Sequence, residues 1–548
     1  MPLPQPDTDF PPRFLAEPFD DIAEAHDWWV GNPEDIAARY TTGTTGSPSR
    51  PGWAGGMVGM WARLWWGKPL DVSEPADRVH IPIARDLART SSSLVFANGI
   101  TVSAPKDTAN KAASERIDRI LNTPTMHATL LSAGESAAAL GGVYLRVVWD
   151  RLVKEHAWID VVDADHAIPE FKWGTLVAAT FWSKLPGNGG RDKEVWRHLE
   201  RHSKGCIEHA LYCGTDGNIG TRILDLAAHE STKHLPAAMK LDADGVYLTE
   251  VNGLTVGYVP NAQPFAKYRH DTQLKNLGYA DINASNIPLF DKCDEWWSAL
   301  SADIDIAKGR IIVSEDALDV GPAGQGSSFN SDRRIFTTLA SAGNADEMFH
   351  AEQFDIRVEK HLAAIDAMFR QIIRASGYSP ASFGMTDDGG AMTATESRNK
   401  REMSINTRTT KARLFEAVLS DLLAVQIQID AKQFGTGAVL SEALEITFPP
   451  AVADSDLERA AVVQAMDIAR AASTAVKVAY MHPTWDEKRV DDEVILVRSE
   501  FAIADPLALG SDAQFGATQA DPDGEAEPVF GSIAADDAGD DLDEDDIE

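Results

Sequence analysis

The sequence predicts an α+β protein, and three patterns along the chain carry that prediction. From residue 150 to about residue 260 the chain runs in short alternating apolar segments broken by Gly, Asp and Pro, which is typical of a curved antiparallel sheet. Two stretches follow in which apolar residues recur at helical spacing and form a narrow row along one helix face, here called an apolar seam. A short β-like stretch and a Gly-rich loop lie between them. A third seam predicts a helix from about Ala394 to Lys432, so long helices and a separate sheet share one chain.

Length and charge limit the classes of protein that fit. At 548 residues the chain exceeds one compact core and should form two to four structural units. The formal net charge is −34, of which residues 505–548 contribute −15 through fifteen Asp and Glu without a Lys or Arg. The rest of the chain still carries −19. Such an acidic surface repels nucleic acid at long range and excludes a broad basic DNA-binding face.

Cysteine content and the N-terminal sequence indicate the compartment. The three cysteines, Cys206, Cys213 and Cys293, do not make a disulfide framework in this length and favour a reducing compartment. The N-terminal stretch is proline-rich and acidic, so we expect no signal peptide. We also expect no membrane-spanning helix, because no apolar run reaches about 18 residues. These features predict a soluble protein made inside the cell.

The first 290 residues combine loop, helix and strand patterns. Residues 1–75 contain scattered Pro and Gly with a cluster of tryptophans, and we expect them to be rich in loops. Further on, a small-residue helix ends at Gly141-Gly142 and leads into a predicted strand over Val143–Trp149.

Two helices with narrow apolar seams flank the predicted β insert. Narrow seams of this kind suit packing of long helices against neighbours. The seam positions are Trp297, Leu300, Ile304 and Ala307 in the first helix, and Val358, Leu362, Ile365, Phe369 and Ile372 in the second.

The stretch from Gly377 to Glu402 connects the second of these helices to the long helix. Its Gly389-Gly390 pair resembles a phosphate-binding loop, but no Lys follows the glycines and the stretch follows a helix rather than a strand. Asp387 and Asp388 would also repel a polyphosphate unless a metal ion lay between them. A flexible interhelical loop is the simpler interpretation, although its length is more typical of a functional loop.

The long helix has a polar, basic first half and an apolar second half. The basic residues are Arg398, Lys400, Arg401, Arg408, Lys411 and Arg413.

A cluster of possible metal ligands lies at residues 198–213. The Glu of HLERH stands in the middle rather than directly after the first His, so the sequence is not the metalloprotease H-E-x-x-H. The Lys204-Gly205 turn and the alternation around it favour a β-hairpin, which would scatter the ligands. The candidate ligands are His198, His202, Cys206, His209 and Cys213.

The C-terminal region divides into a helical part and a tail. Ser455-x-x-Glu458 and Thr484-x-x-Glu487 have the spacing of capping boxes and predict helix starts. Residues 455–503 therefore predict a small helical domain. The acidic remainder, rich in Asp, Gly and Ala, is predicted to be disordered.

Taken in order, these segments resemble the portal proteins of tailed double-stranded-DNA bacteriophages, of the siphophage type. The resemblance spans roughly residues 25–500 and depends on order and spacing rather than on one catalytic signature. The segments that carry it are HIPIARDLARTSSSLVF, AALGGVYLRVVWD, WIDVVDADHAIPEF, VWRHLERHSKGCIEHALYCGT, VGYVPNAQP and GYSPASFGM with the later TATESRNKRE and its long helix.

The resemblance implies a portal fold with a mixed α/β wing, long stem helices around a small α/β clip, and a helical crown. The implied domains are the wing (1–290), a stem helix (291–308), the clip (309–353), a second stem helix (354–378), the tunnel loop (379–393), the long helix with a returning wing strand (394–454), the crown (455–504) and the disordered acidic tail (505–548).

The resemblance also implies site residues and partners. The implied tunnel-loop residues of the DNA channel are Thr386, Asp387, Asp388, Gly389, Gly390, Ala391 and Met392. The implied docking residues of the clip are Gly321, Gly324, Gln325, Gly326, Arg333 and Arg334. The implied partners are the other copies of a twelve-subunit ring, double-stranded DNA, the major capsid protein, the large terminase subunit and a head-completion adaptor. In such a ring we expect the basic side chains of the long helix to pair with acidic residues across subunit interfaces rather than to line the channel.

The resemblance therefore implies a non-enzymatic channel and docking ring at a capsid vertex of the virion, assembled in the host cytoplasm, without cofactor, metal or membrane. Two other hypotheses remain open from the residues alone. One is a metal-dependent hydrolase that uses His198, His202, Cys206 and His209. The other is a scaffold or adaptor inside the capsid that forms no channel.

Overall fold

A computed structural model describes residues 3–42, 79–105, 108–187, 194–306, 310–313, 319–320, 327–328, 349–352, 358–385, 394–449, 456–482, 485 and 487–504. The chain divides into two compact units, Met1–Ala453 and Asp454–Glu548. The predicted acidic tail, the centre of the interhelical stretch and most of the predicted clip lie outside the described residues.

The helices and strands confirm the α+β class. None of the helices in the described part of the chain has the length and apolarity needed to cross a membrane. The helices are α1 (Ala16–Val30), α2 (Pro33–Thr42), α3 (Ile83–Phe96), α4 (Lys111–Ile120), α5 (Pro124–Leu140), α6 (Leu235–Met239), α7 (Ile287–Ile306), α8 (Val358–Ala375), α9 (Ala394–Phe434), α10 (Asp456–Ile468), α11 (Thr474–Met481) and α12 (Glu487–Ala504). The strands are β1 (Thr101–Ser103), β2 (Gly142–Val148), β3 (Trp158–Asp163), β4 (Ala167–Lys172), β5 (Thr175–Leu185), β6 (Val195–Ser203), β7 (Cys206–Thr215), β8 (Asn218–Ile223), β9 (Val246–Leu248), β10 (Val256–Pro260), β11 (Arg310–Val313), β12 (Asp319–Val320), β13 (Ser327–Ser328), β14 (Phe349–Glu352) and β15 (Glu445–Thr447).

The N-terminal region is more helical than its prolines suggested. The expectation of a loop-rich stretch over residues 1–75 is wrong for α1 and α2. Pro18 lies in the first turn of α1, and Pro33 is the first residue of α2. Proline fits these positions because the first N–H groups of a helix have no intrahelical partner. Both prolines therefore mark helix starts.

A six-stranded antiparallel sheet forms the largest β structure of the first unit. Its order is β4-β5-β6-β7-β8, and β9 also pairs with β7. This sheet confirms the antiparallel pattern predicted for the region before residue 260. The β6–β7 connection is the predicted hairpin, and Gly205 occupies its left-handed turn position with φ +82°.

A second, three-stranded sheet carries the long helix α9. Its order is β10-β2-β3, and β2 is the strand predicted after Gly141-Gly142. The helix crosses β10 at Gly257, where an added Cβ would lie 2.3 Å from the Cγ1 atom of Val418. Glycine at this position therefore allows the helix to approach the strand closely.

The second half of α9 is the centre of the main hydrophobic core. The seam predicted for this half of the helix is Phe415, Val418, Leu422, Val425 and Ile429. All of these side chains are buried except Val418, which is partly buried against the same core. Leu419, outside the predicted seam, is buried there as well.

The chain returns to its N-terminal part after the long helix. β15 pairs antiparallel with β1, with Ile446 opposite Val102. Both of these side chains are buried in the same core as the long helix. The strand predicted near residue 445 is therefore present, and it closes the first unit by joining distant parts of the sequence.

The two helices that carry the predicted apolar seams, α7 and α8, pack against each other. Short strands lie between them in the sequence. β11 pairs with β14 and β12 pairs with β13, so the predicted β insert is confirmed for these strands. The seams are only partly covered within one chain. Ile365 and Ile372 are buried, whereas Ile304 and Leu362 are each 43% exposed.

The second unit contains the three C-terminal helices α10, α11 and α12, as predicted. Its buried apolar side chains among the described residues are Val478, Val490 and Val494, each still 7–9% exposed. α12 begins at Glu487, the last residue of the predicted capping box, whose Thr484 lies outside the described residues. The Trp485 ring stacks on His482 with centroids 3.8 Å apart, before that helix begins.

Candidate functional site: the junction of the long helix

The residues that the sequence predicted for the channel and the clip lie outside the described part of the chain. The structure describes the chain up to Met385 and again from Ala394. The predicted residues outside it are Thr386, Asp387, Asp388, Gly389, Gly390, Ala391, Met392, Gly321, Gly324, Gln325, Gly326, Arg333 and Arg334. The structure does describe the junction that leads into the predicted tunnel loop.

The end of α8 turns sharply toward the long helix. Gly377 has φ +82°, a left-handed conformation that glycine adopts without a steric penalty. Tyr378 follows and is 1% exposed. Residues Pro380–Phe383 then form a single 3-10 turn that ends at Gly384, with φ +76°. The first part of the interhelical stretch is therefore regular and partly buried.

Side chains of the long helix hold this turn by hydrogen bonds. The hydroxyl of Ser404 accepts from the backbone N–H of Ser379 at 2.8 Å, and the hydroxyl of Ser382 lies 2.8 Å from it. One turn further along, the hydroxyl of Thr407 donates to the carbonyl of Gly377. Ser379 in turn donates to the carbonyl of Lys400. The predicted loop of residues 379–393 thus begins with a part, through Met385, that is fixed to the long helix.

A buried ion pair lies one further turn along the same helix. The Lys411 Nζ atom is 2.7 Å and 2.9 Å from the two carboxylate oxygens of Asp281. It also donates to the Ser91 hydroxyl at 2.8 Å and to the Asn261 side-chain oxygen at 2.7 Å. Lys411 and Asp281 are 6% and 5% exposed. Every donor of the ammonium group therefore has a partner, as a buried cation requires.

The ion pair also binds the end of α8. The hydroxyl of Tyr378 donates to Asp281 at 2.9 Å, and the side chain of Asn261 donates to the other carboxylate oxygen at 2.9 Å. Burial and the Asp281 carboxylate raise the pKa of Tyr378, so its hydroxyl stays a donor. Burial lowers the pKa of Lys411, and Asp281 opposes that change. One network therefore joins α3, the segment before α7, the end of α8 and the long helix.

These contacts correct the interpretation of two of the six residues of the basic cluster, Arg408 and Lys411. Arg408 is also buried, and its Nε donates to the carbonyl of Leu94 at 2.8 Å. Arg408 and Lys411 therefore find their partners inside the chain, not across a subunit interface. The spacing of charges along a helix could not reveal this, because the partners come from distant segments.

The far end of the long helix carries a second buried pair. Asp430 is fully buried and accepts from the Arg116 Nε at 2.6 Å and from the backbone N–H of Ala157 at 2.9 Å. The long helix is therefore fixed at both ends of its second half by charged contacts to the N-terminal part of the first unit. Because both pairs are buried, loss of one partner from either pair would leave an uncompensated charge in the core.

The histidine and cysteine cluster lies on the β6–β7 hairpin, as predicted, but the hairpin disperses it only in part. The strand register places Cys206 on one face and the other four candidate ligands on the opposite face. Cys206 lies opposite Ser203 and contacts its hydroxyl, on the other face of the hairpin from His202. The Nδ1 atom of His202 is 2.7 Å from the Thr255 hydroxyl, and its Nε2 is 2.8 Å from Glu200. Among the described residues, no three His, Cys, Asp or Glu side chains are grouped so that they could hold a metal ion.

Two histidines of the cluster form a buried stacked pair. The Nε2 atom of His198 lies 3.1 Å from the Nδ1 atom of His209, and the rings are parallel. Burial, together with the neighbouring His209, lowers the pKa of His198 to about 4. Burial likewise lowers the pKa of His209. Both rings are therefore neutral near pH 7, and the pair serves the packing of the sheet.

The chain matches a known family over most of its length. Residues 61–488 match the profile described as "Phage portal protein, SPP1 Gp6-like". The class is that of phage portal proteins, and the chain belongs to this SPP1 Gp6-like family. The resemblance inferred from the order of the segments is thereby confirmed. No curated protein sequence matches the chain.

Solved structures with a similar chain come from gene transfer agent (GTA) particles. "Neck of empty GTA particle computed with C6 symmetry" is 13% identical, with a TM-score of 0.37, and the match covers 81% of this chain and 97% of that chain. "Neck of native GTA particle computed with C12 symmetry" is 14% identical at the same TM-score, covering 79% and 95%. "Virion of native gene transfer agent (GTA) particle" is 12% identical, with a TM-score of 0.37, covering 81% and 97%.

Proposed function

We propose that the chain is one subunit of a twelve-membered portal ring at a capsid vertex of the virion, and that double-stranded DNA passes through the ring during packaging and ejection. The family match over residues 61–488 is the observation that carries this proposal. The role is that of a channel and docking ring rather than of an enzyme.

The parts of the proposed subunit follow the chain order. Residues 1–290 form the wing, and β15 returns to it through its pairing with β1. The packed helices α7 and α8 form the stem around a clip at residues 309–353. The C-terminal helices form the crown. The partly exposed seams of α7 and α8 support this assignment, because Ile304 and Leu362 remain available for neighbouring copies.

The segment Thr386–Met392 forms the tip of a loop that projects into the channel. The anchoring of Ser379 and Ser382 on Ser404 supports this assignment, because it gives the loop a fixed base on the long helix. Asp387 and Asp388 disfavour adhesion to DNA phosphates. Each added phosphate contact would raise affinity for the DNA and slow its sliding.

The clip is the docking surface for the large terminase subunit during packaging and later for a head-completion adaptor. The residues assigned to this surface are Gly321, Gly324, Gln325, Gly326, Arg333 and Arg334. The wing contacts the major capsid protein. A metal-dependent hydrolase is not proposed, because the described His and Cys side chains of the β6–β7 hairpin form no three-ligand group.

Shortening the loop tests the channel assignment. Deletion of Thr386–Ala391 is expected to leave ring assembly intact and to reduce the amount of DNA packaged or retained. The matched control deletes the six residues 188–193, between β5 and β6, and is expected to change neither ring assembly nor packaging. Rings are counted by electron microscopy and packaged DNA by nuclease protection. A Thr386–Ala391 deletion that fails to assemble would show that this segment is structural.

A further inference from the structure

The first unit contains an open, mostly apolar cleft that the proposed function does not use. Its volume is about 700 Å³, which is the size of a typical ligand pocket. Its walls come from α1, the segment before α7, the start of α7 and the end of α8. The side chains that define it include Phe19, Ile22, Tyr258, Leu277, Tyr279 and Leu289. A cleft of this composition suits large apolar side chains.

The wall also carries carboxylates, of which Asp21 pairs with Lys267 of the same wall. Glu24 lines the cleft, and burial raises the pKa of its carboxyl group. Among the described residues no hydrogen bond or ion pair to this carboxylate is present, although Arg39 and Lys267 lie near enough to oppose the pKa change. An occupant with an apolar face and a cation would therefore match the cleft better than a purely apolar one.

One segment of this chain has that composition. Residues 43–78 lie outside the described residues, and within them apolar side chains recur at the spacing of one helix face. Arg63 lies within the same stretch. The apolar residues at this spacing are Met57, Met60, Trp61, Leu64 and Trp65. Tryptophan is the side chain that most often anchors an interface in a pocket.

The described residues on either side of this segment contact α1 and α7, two of the helices that contribute walls of the cleft. The segment begins after α2, whose Arg39 pairs with Asp27 of α1. It ends at His80, whose Nδ1 lies 2.7 Å from Asp294 of α7 and whose ring contacts Trp28 of α1. About 14 residues separate Trp65 from Val79, which can span up to about 46 Å. The chain on either side of the segment therefore keeps it at high effective concentration near the cleft.

We propose that this cleft is the docking site for the tryptophan-rich segment of residues 57–66 of the same chain. Trp61 and Trp65 enter the apolar part of the cleft, and Arg63 approaches Glu24. The segment completes the wall formed by α1 and α7 and so joins the N-terminal helices to the first stem helix.

Photocrosslinking in the full-length protein tests the site and the identity of the occupant. Benzoylphenylalanine in place of Trp65 is expected to crosslink to peptides that contain Phe19, Ile22 or Leu289, and the product is expected to run at monomer mass. The control places the same probe at Leu224, which is 80% exposed outside the cleft, and no crosslink to those peptides is expected. A product at twice the monomer mass would assign the occupant to a second copy and overturn the proposal. Crosslinks only to other peptides, or none, would also overturn it.

Limited trypsin digestion gives an independent test. Arg63 is the one cleavable site within residues 43–77, because proline follows both Arg50 and Lys68. Ala284 is exposed and lines the cleft, so A284W fills the cleft without removing a wall side chain. Cleavage after Arg63 is expected to accelerate about tenfold or more in A284W and in the Trp61→Ala/Trp65→Ala double variant. The reason is that the cleavage rate follows the fraction of molecules in which the segment is undocked. The control A461W, at an exposed alanine of α10, is expected to leave the rate unchanged. Equal rates in all four proteins would contradict docking.

Discussion

The Lys411→Met substitution removes the cation of the buried ion pair at the junction and keeps most of the side-chain length. Asp281 then loses both contacts to the ammonium group and stays buried, with Tyr378 and Asn261 as its remaining donors. Removing one partner of a buried pair typically costs about 3–5 kcal/mol, because a buried charge is left uncompensated. We expect the free energy of unfolding of the first unit to fall by about that amount.

Urea unfolding of the unassembled subunit, followed by tryptophan fluorescence, measures this loss. The matched control is Lys432→Met on the same helix, where the pair with Glu250 is 41% and 76% exposed. That control should cost about 1 kcal/mol or less. The double variant Lys411→Met/Asp281→Asn should recover part of the loss, because it removes the isolated charge as well. A Lys411→Met loss no larger than that of the Lys432→Met control would refute the assignment of a structural ion pair.

The remaining predictions concern the hairpin and the base of the loop. Because the folded-state pKa of His198 is lowered from 6.5 to about 4, its contribution to stability should be lost as the pH falls from about 6.5 toward 4, by about 3 kcal/mol in total. His198→Gln should flatten this part of the stability–pH curve, and an unchanged slope would exclude His198 as its source. Ser404→Ala leaves the N–H of Ser379 without its acceptor, at a cost of about 1–3 kcal/mol. Hydrogen exchange at Ser379 and Ser382 should accelerate while rings still form, and unchanged exchange would show that Ser404 does not hold this turn. Ser420→Ala, which removes the hydroxyl contact to the Leu444 carbonyl further along the helix, is the control and should leave that exchange unchanged.

Periodic elements were predictable from the sequence because their signal is local. The apolar seam of the long helix, the hairpin at Lys204-Gly205 and the β insert between the seamed helices all appear where the spacing placed them. The alternation before residue 260 likewise identified an antiparallel sheet. Each of these features depends on neighbours within a few residues, so no tertiary information was needed.

Proline and capping patterns predicted the positions of loops and helix starts less reliably than apolar spacing predicted helices and strands. Pro18 and Pro33 suggested loops, but helix starts tolerate proline as well as loops do. The box at Thr484 predicted a helix start within a few residues of Glu487, where α12 begins, and Thr484 itself lies outside the described residues. A short pattern of this kind indicates that a helix begins nearby, but it locates the first residue of that helix only to within a few positions.

The junction could not be predicted, because its partners are distant in sequence. Lys411 and Asp281 are 130 positions apart, and Tyr378 and Asp281 are 97 apart. One signal was available in the sequence. Ser404, Thr407 and Lys411 recur at spacings of three and four, in line with the face that carries the apolar seam. Polar residues on such a face indicate a buried polar contact, although not the identity of its partner.

Negative-stain electron microscopy of the purified full-length protein tests the central claim most directly. A subunit of a portal channel should form rings of uniform diameter with a central hole, and class averages should show a rotational repeat close to twelvefold. Discrete monomers, or compact oligomers without a central hole, would contradict the proposal that this chain forms a DNA channel.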